Sequence, residues 1–272
     1  MRNGTRWRSL LAILGLGLSV AATAQQPQQQ KQTPQPPNQP QQQQQEIEPA
    51  AMAALDKMGA YLRTLKSFDI AATTSTDELL ENGMKLQFDG TTRLQARRPD
   101  RLKMAIKSDR KERQIFYDGK RFTLYAPAVK FYASAAAPAS IGETAQVLAK
   151  TYGIEMPLVD LFFWGTSEAR PEEIKSALAL GPATVDGTQT EHYFFRQEGV
   201  DWQVWIQKGA KPLPRKIVVT TTSEAAQPSH TMVLRWNLSP KFTDKLFAFT
   251  PPPDAMRIVL QTVDGKPALA AK

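Results

Sequence analysis

Residues 201–220 read DWQVWIQKGAKPLPRKIVVT. Two alternating apolar runs flank a Gly/Pro turn, the pattern of two antiparallel strands. The stretch carries Trp202 and Trp205. Successive strand side chains alternate between faces, so the two indoles must point opposite ways. Val200, Trp202, Val204 and Ile206 share one uniformly apolar face, while Asp201, Gln203, Trp205 and Gln207 share the other. The first face is therefore expected to look into a core or cavity. Trp202 is expected to be buried and Trp205 at least partly accessible. One apolar and one polar face is the signature of antiparallel sheet.

The same pattern continues outward. Downstream, SHTMVLRWNLS (229–239) and KLFAFTPPP (245–253) read as further strands. Upstream, PATVDGTQTEHYFFRQEG (182–199) turns at Asp186-Gly187, and RQIFYDGKRFTLYAP (113–127) turns at Asp118-Gly119. SFDIAATTSTDELL (67–80) and MKLQFDGTTRLQARR (84–98) flank Asn82-Gly83, followed by DRLKMAIKSD (100–109) and VKFYASA (129–135). That makes about ten strands, and short connections favour a meander. Pro49 to Lys66 repeats Ala51, Leu55, Met58, Leu62 and Leu65 as one helical stripe. Residues 140–180 are expected to be helical: Ser140 with Glu143 forms a capping box, Pro157 opens PLVDLFFWG, and Pro171 opens PEEIKSALAL with acids in its first turn. Strands with helices gathered at the start and middle make an α+β fold, not an alternating α/β one.

The chain begins with three arginines, an apolar run from Leu10 to about Ala22 and the small-residue end Ala22-Thr23-Ala24. This reads as a secretory signal peptide, residues 1–24. An uncleaved anchor is the alternative, but the run is short of the ~20 residues a span needs. Residues 25–45 are almost entirely Gln and Pro, without apolar residues for a core, and read as a disordered tether. One folded domain is expected over 46–263, followed by a tail, 264–272. With no cysteine in the chain, disulfides, thiolate metal sites and a lipidated N-terminal cysteine are all excluded. The 34 basic and 26 acidic residues give +8, which falls to +5 once Arg2, Arg6 and Arg8 leave with the signal. No nucleic-acid partner is expected of so modest and scattered a charge in an exported chain, whereas peripheral contact with an anionic membrane stays open.

The chemistry-bearing residues are sparse. Two histidines, His192 and His230, come without a nucleophile elbow or a zinc-binding helix signature, so both are expected to be structural or solvated. Asp160 and Glu155 read as helix-surface acids. No catalytic residue, metal or cofactor is expected. The unusual content is aromatic. Phe162, Phe163 and Trp164 are consecutive, and Phe194 and Phe195 occupy both faces of their strand. Either both faces are covered locally, or some of these residues line a cavity for an apolar ligand.

RRPDRLK, FYDGKRFTLYAP, KFYASAAAPASI, GIEMPLVDLFFW, the opening stretch and FAFTPPPDA occur here in a particular order and spacing. The ordered set resembles the predicted periplasmic proteins grouped as domain-of-unknown-function family twenty-ninety-two, over about residues 47 to 260. That family in turn resembles the lipoprotein-carrier (LolA-like) fold. The resemblance implies a curved antiparallel sheet or incomplete β-barrel, with an N-terminal helix and a central helical insertion over its concave face. It also implies a periplasmic, non-enzymatic protein that binds lipid or lipoprotein acyl chains. Trp202, Val204, Ile206, Phe162, Phe163, Trp164 and Leu62 are the candidate cavity wall. An envelope sensor or scaffold acting through a protein partner is a second implied function. A hydrolase using His192 beside Tyr193 is a third reading.

Overall fold

Antiparallel strands joined by tight turns place sequence neighbours side by side, and this chain follows that rule twice. A computed structural model describes residues 46–264. The signal peptide and the Gln/Pro tether lie outside the described residues, as does most of the tail. Helix α1 (Pro49–Thr64) opens on Pro49 and buries Ala51, Leu55, Met58 and Leu62, four of the five residues of the stripe read from the sequence; Leu65, the fifth, is half-buried just past the helix end. The first meander then runs β1 (Ser67–Leu79), β2 (Lys85–Arg97), β3 (Arg101–Ser108), β4 (Glu112–Tyr117), β5 (Arg121–Ala126) and β6 (Phe131–Ala136). Gly83 at φ 82° makes the β1–β2 turn, a conformation that favours glycine.

Helices α2 (Ile141–Tyr152) and α3 (Asp160–Phe163) follow, then two 3-10 turns, Ser167–Ala169 and Pro171–Glu173. Ser140 caps α2: its hydroxyl accepts from the Glu143 amide at 3.2 Å and donates to the Glu143 carboxylate at 2.8 Å. The second meander runs β7 (Ser176–Val185), β8 (Thr188–Gln197), β9 (Val200–Gln207), β10 (Pro214–Thr221) and β11 (Ser229–Asn237). A two-residue strand, β12 (Met256–Arg257), closes the list.

All twelve strands form one sheet in the order β12-β6-β5-β4-β3-β2-β1-β11-β10-β9-β8-β7. The chain starts at the centre with β1 and meanders to one side. It then crosses to the far edge through α2, α3 and the 3-10 turns. From there it meanders back until β11 pairs with β1, Ile70 opposite Trp236 and Ala72 opposite Leu234. The sheet is not closed: β12 and β7 are its edges. Every pairing between these strands is antiparallel except β12 with β6, and Ile47 adds an isolated parallel bridge to Ala177 of β7. The helices pack on one face, here called the covered face. Phe68, Ile70, Leu94, Met104, Phe195, Val204 and Leu234 of that face join Met58, Leu62, Leu148 and Phe162 in one buried cluster.

Two segments depart from the expected elements. SALAL was expected to end a helix but forms the start of β7, and only Pro171–Glu173 keeps a helical turn. The Lys175 amide instead bonds the Arg196 carbonyl at 2.7 Å and the Ala177 amide the Glu46 carbonyl at 2.8 Å. With Ala177 fully buried, tertiary pairing overrides the helix propensity of Ala and Leu. KLFAFTPPP is not a strand. It forms a 3-10 turn, Asp244–Leu246, and a strap across the outer face. Its Phe249 sits among Phe116, Tyr125 and Tyr132 with ring centroids 5.2, 5.3 and 5.2 Å away. Three prolines in a row supply no amide for a ladder, so side-chain packing holds the strap instead.

Candidate functional site

Strand alternation puts Trp202 on the covered face and Trp205 on the outer one. Trp202 is buried at 8% exposure, and Trp205 is half-buried. Trp202 pairs across the ladder with Phe195, and their rings stack at 4.2 Å with 18° between planes. On the cover, Trp164 lies 6.0 Å from Trp202 at 24°. The Trp202 indole N–H donates to the Gln197 side-chain oxygen at 3.0 Å, which satisfies its one polar atom. On the outer face, Trp205 stacks on His192 at 3.8 Å and lies under the Lys216 ammonium at 4.6 Å.

Beside the Phe195–Trp202–Trp164 stack is a cavity of about 530 Å³. Leu55 and Asp56 of α1 line one side. Val200, Trp202, Ile217 and Val219 of the sheet form the floor, and Phe163 through Ile174 of the cover form the opposite wall. The cover is held from below. The Arg98 guanidinium donates to the Leu161 carbonyl at 3.2 Å and sits 4.9 Å from the Phe162 ring centre, and Phe162 packs on Phe68 at 5.9 Å. It is also held from the side, where Arg63 donates to the Gly165 carbonyl. Gly59 lets α1 approach so closely that a Cβ there would lie 2.7 Å from the Gly165 nitrogen.

Of the seven residues expected in the wall, Phe163, Trp164 and Trp202 line the cavity. The other four, Leu62, Phe162, Val204 and Ile206, are buried in the hydrophobic core and are not among the residues lining this cavity. Val204 faces Tyr193 and Ile217, and Ile206 faces Pro214, farther along the strand. The sequence reading missed Leu55, Ile174, Ile217 and Val219. Ile217 and Val219 were within reach, since alternation in KIVVT puts both on one face, opposite Val204 and Trp202. The 3-10 stretch carries no periodicity to find.

Asp160 is among the residues lining the cavity and is solvent-exposed. Surrounding protein desolvates the carboxyl and pushes it above the usual carboxylate range, with the charge of Glu155 adding a little. Glu168 goes the other way, lowered by the polar neighbours Thr166 and Ser167, of which the Ser167 hydroxyl donates to its carboxylate at 3.3 Å. His192 Nε2 pairs with Gln203 Oε1 at 2.9 Å on the outer face, and His230 Nδ1 pairs with the Thr76 hydroxyl at 2.6 Å. Burial lowers the basicity of both imidazoles. His192 and Tyr193 point to opposite faces. No group of three or more His, Asp or Glu with metal-ligand geometry occurs among the described residues. No described helix is long and apolar enough to cross a membrane.

No curated protein matches the chain in sequence. Among solved structures it is similar to the lipoprotein LppX of Mycobacterium tuberculosis, at 11% identity and a TM-score of 0.44, over 71% of this chain and 98% of that one. It is also similar to LprF of Mycobacterium bovis, at 11% identity and 0.44, over 78% and 100%. A LolA superfamily protein of Nitrosomonas europaea follows at 10% identity and 0.35, over 73% and 97%. The family described as "Predicted periplasmic protein (DUF2092)" matches residues 51–261. That span takes in α1, both meanders, the cover and the strap, so the chain belongs to this family of predicted periplasmic proteins.

Proposed function

We propose that this protein binds an apolar or lipidic ligand in the cavity between sheet and cover, without converting it chemically. The observation that carries the reading is the cavity itself, about 530 Å³ with Trp164, Trp202, Ile217 and Val219 in its wall. Ligand pockets generally span about 300–1,000 Å³. Each methylene withdrawn from water contributes about 0.8 kcal/mol, so a single acyl chain supplies binding energy without any catalytic group.

The test is uptake of an apolar fluorescent probe by delipidated protein. Wild type is expected to bind it. Val219→Trp, which fills the cavity from the floor, is expected to weaken uptake about tenfold, roughly 1.4 kcal/mol. Trp205→Ala, on the outer face, is expected to leave uptake unchanged. Absence of uptake by wild type, or equal uptake by the filled variant, would sink the reading.

A second reading, a module acting through an envelope protein partner, is supported by the tip of the β1–β2 hairpin. There the neighbouring side chains of Met84 and Leu86 are 51% and 40% exposed. Exposed apolar side chains grouped together mark contact surfaces. Recovery of one stoichiometric envelope protein, lost on Leu86→Asp, would favour that reading over ligand carriage alone.

A further inference from the structure

The cavity lining is charged in a one-sided way. Asp56, Asp160, Glu168, Glu172 and Glu173 contribute five carboxyl groups, and Arg170 is the one cation among the lining residues. Arg170 is already engaged, 2.9 Å from Glu173. The other four carboxyls have no ion pair among the described residues. This runs against the charge of the whole chain, which is +8. The acids come from separate elements: Asp56 from α1, Asp160 from α3, and the rest from the 3-10 turns.

Those carboxyls share their cavity with two indoles. Trp164 and Trp202 each keep 8% of their surface exposed while lining it. Aromatic faces together with carboxylates are the combination that recognises an ammonium group, through cation–π attraction and charge pairing. An anionic head brought to the same place would meet Asp56, Glu168 and Glu172, solvent-exposed carboxylates without an ion pair, and like charges repel.

Building on the proposed ligand site, we infer that the cavity selects an amphiphile whose head carries an ammonium group and no net negative charge. It discriminates against fatty acids and other anionic amphiphiles. The apolar tail supplies affinity, and the acidic lining decides which heads are admitted.

Three decyl amphiphiles of equal chain length separate these roles: decyltrimethylammonium, decyl maltoside and decyl sulfate. Each competes, below its micellar concentration, with a neutral apolar fluorescent probe bound to the full chain. The cation is expected to compete at least about fivefold better than the sulfate, the equivalent of about 1 kcal/mol. That gap is expected to close in Asp56→Asn/Glu168→Gln/Glu172→Gln, with the maltoside unchanged. Sulfate competing as well as the cation, while the maltoside competes too, overturns the head selectivity and leaves the binding reading standing. A wild-type gap that persists undiminished in the triple variant also overturns the selectivity. If neither the probe nor any of the three amphiphiles binds, the ligand-site reading itself fails.

Discussion

Asp160 shows how one side chain couples the fold to pH. Its carboxyl titrates above the usual range because surrounding protein disfavours the charge. The folded protein therefore holds this proton more tightly than the unfolded chain does. Stability contributed by the group is full at low pH and falls as pH rises through the folded range. Asp160→Asn is expected to be more stable than wild type at pH 7, with the difference vanishing as pH falls toward the unfolded carboxylate range near ~3.9. Urea midpoints at pH 4, 5.5 and 7 check this, and a gap independent of pH would refute it. The histidines have the opposite sign, since burial lowers both, but they contribute equally to the two proteins. Trp202 and Trp205 were separable from the sequence because alternation in a strand is strict. Asp160 reads as a surface acid in the sequence and is solvent-exposed in the structure; its place at the cavity comes from assembly of α1, the cover and the sheet.

At the scale of elements, the contact between α1 and the cover depends on the absence of a side chain. Gly59 is buried, and an added Cβ would meet backbone atoms of Trp164 and Gly165 at 2.7–2.9 Å. Gly165 itself has φ 79°. Backbone cannot step aside as a flexible side chain can, so Gly59→Ala must push α1 off the cover. A loss of about 1–3 kcal/mol is expected from such overpacking. Ala60→Ser, on the exposed side of the same helix, is expected to change stability by less than about 0.5 kcal/mol. Urea unfolding of the three proteins decides it. Gly59 illustrates the limit of reading elements from sequence. The apolar stripe of α1 was legible, but a glycine inside a helix gives no sign of what approaches it. In SALAL and FAFTPPP local preference and final structure disagree. The first is claimed by the edge of β8, and the second by the Phe116–Tyr125–Tyr132 pocket on the outer face. Both decisions are made by residues distant in the chain.

For the whole molecule, the decisive pairing is β1 with β11 at the centre of the sheet. The meander character was legible, because turns at Asn82-Gly83, Asp118-Gly119 and Asp186-Gly187 are local. The central closure was not, because eight registered pairs join strands far apart in sequence. The two meanders are thus connected twice, once through the peptide chain of the cover and once through this ladder. Two co-expressed fragments, 46–169 and 170–264, are expected to co-elute as one species with the far-ultraviolet spectrum of the intact chain. Separate elution would show that the covalent crossover is required. If the ladder suffices, the cover is the one stretch whose length the sheet does not register. Insertions and deletions there could change what the cavity admits over evolutionary time, while the strand alignment is inherited unaltered.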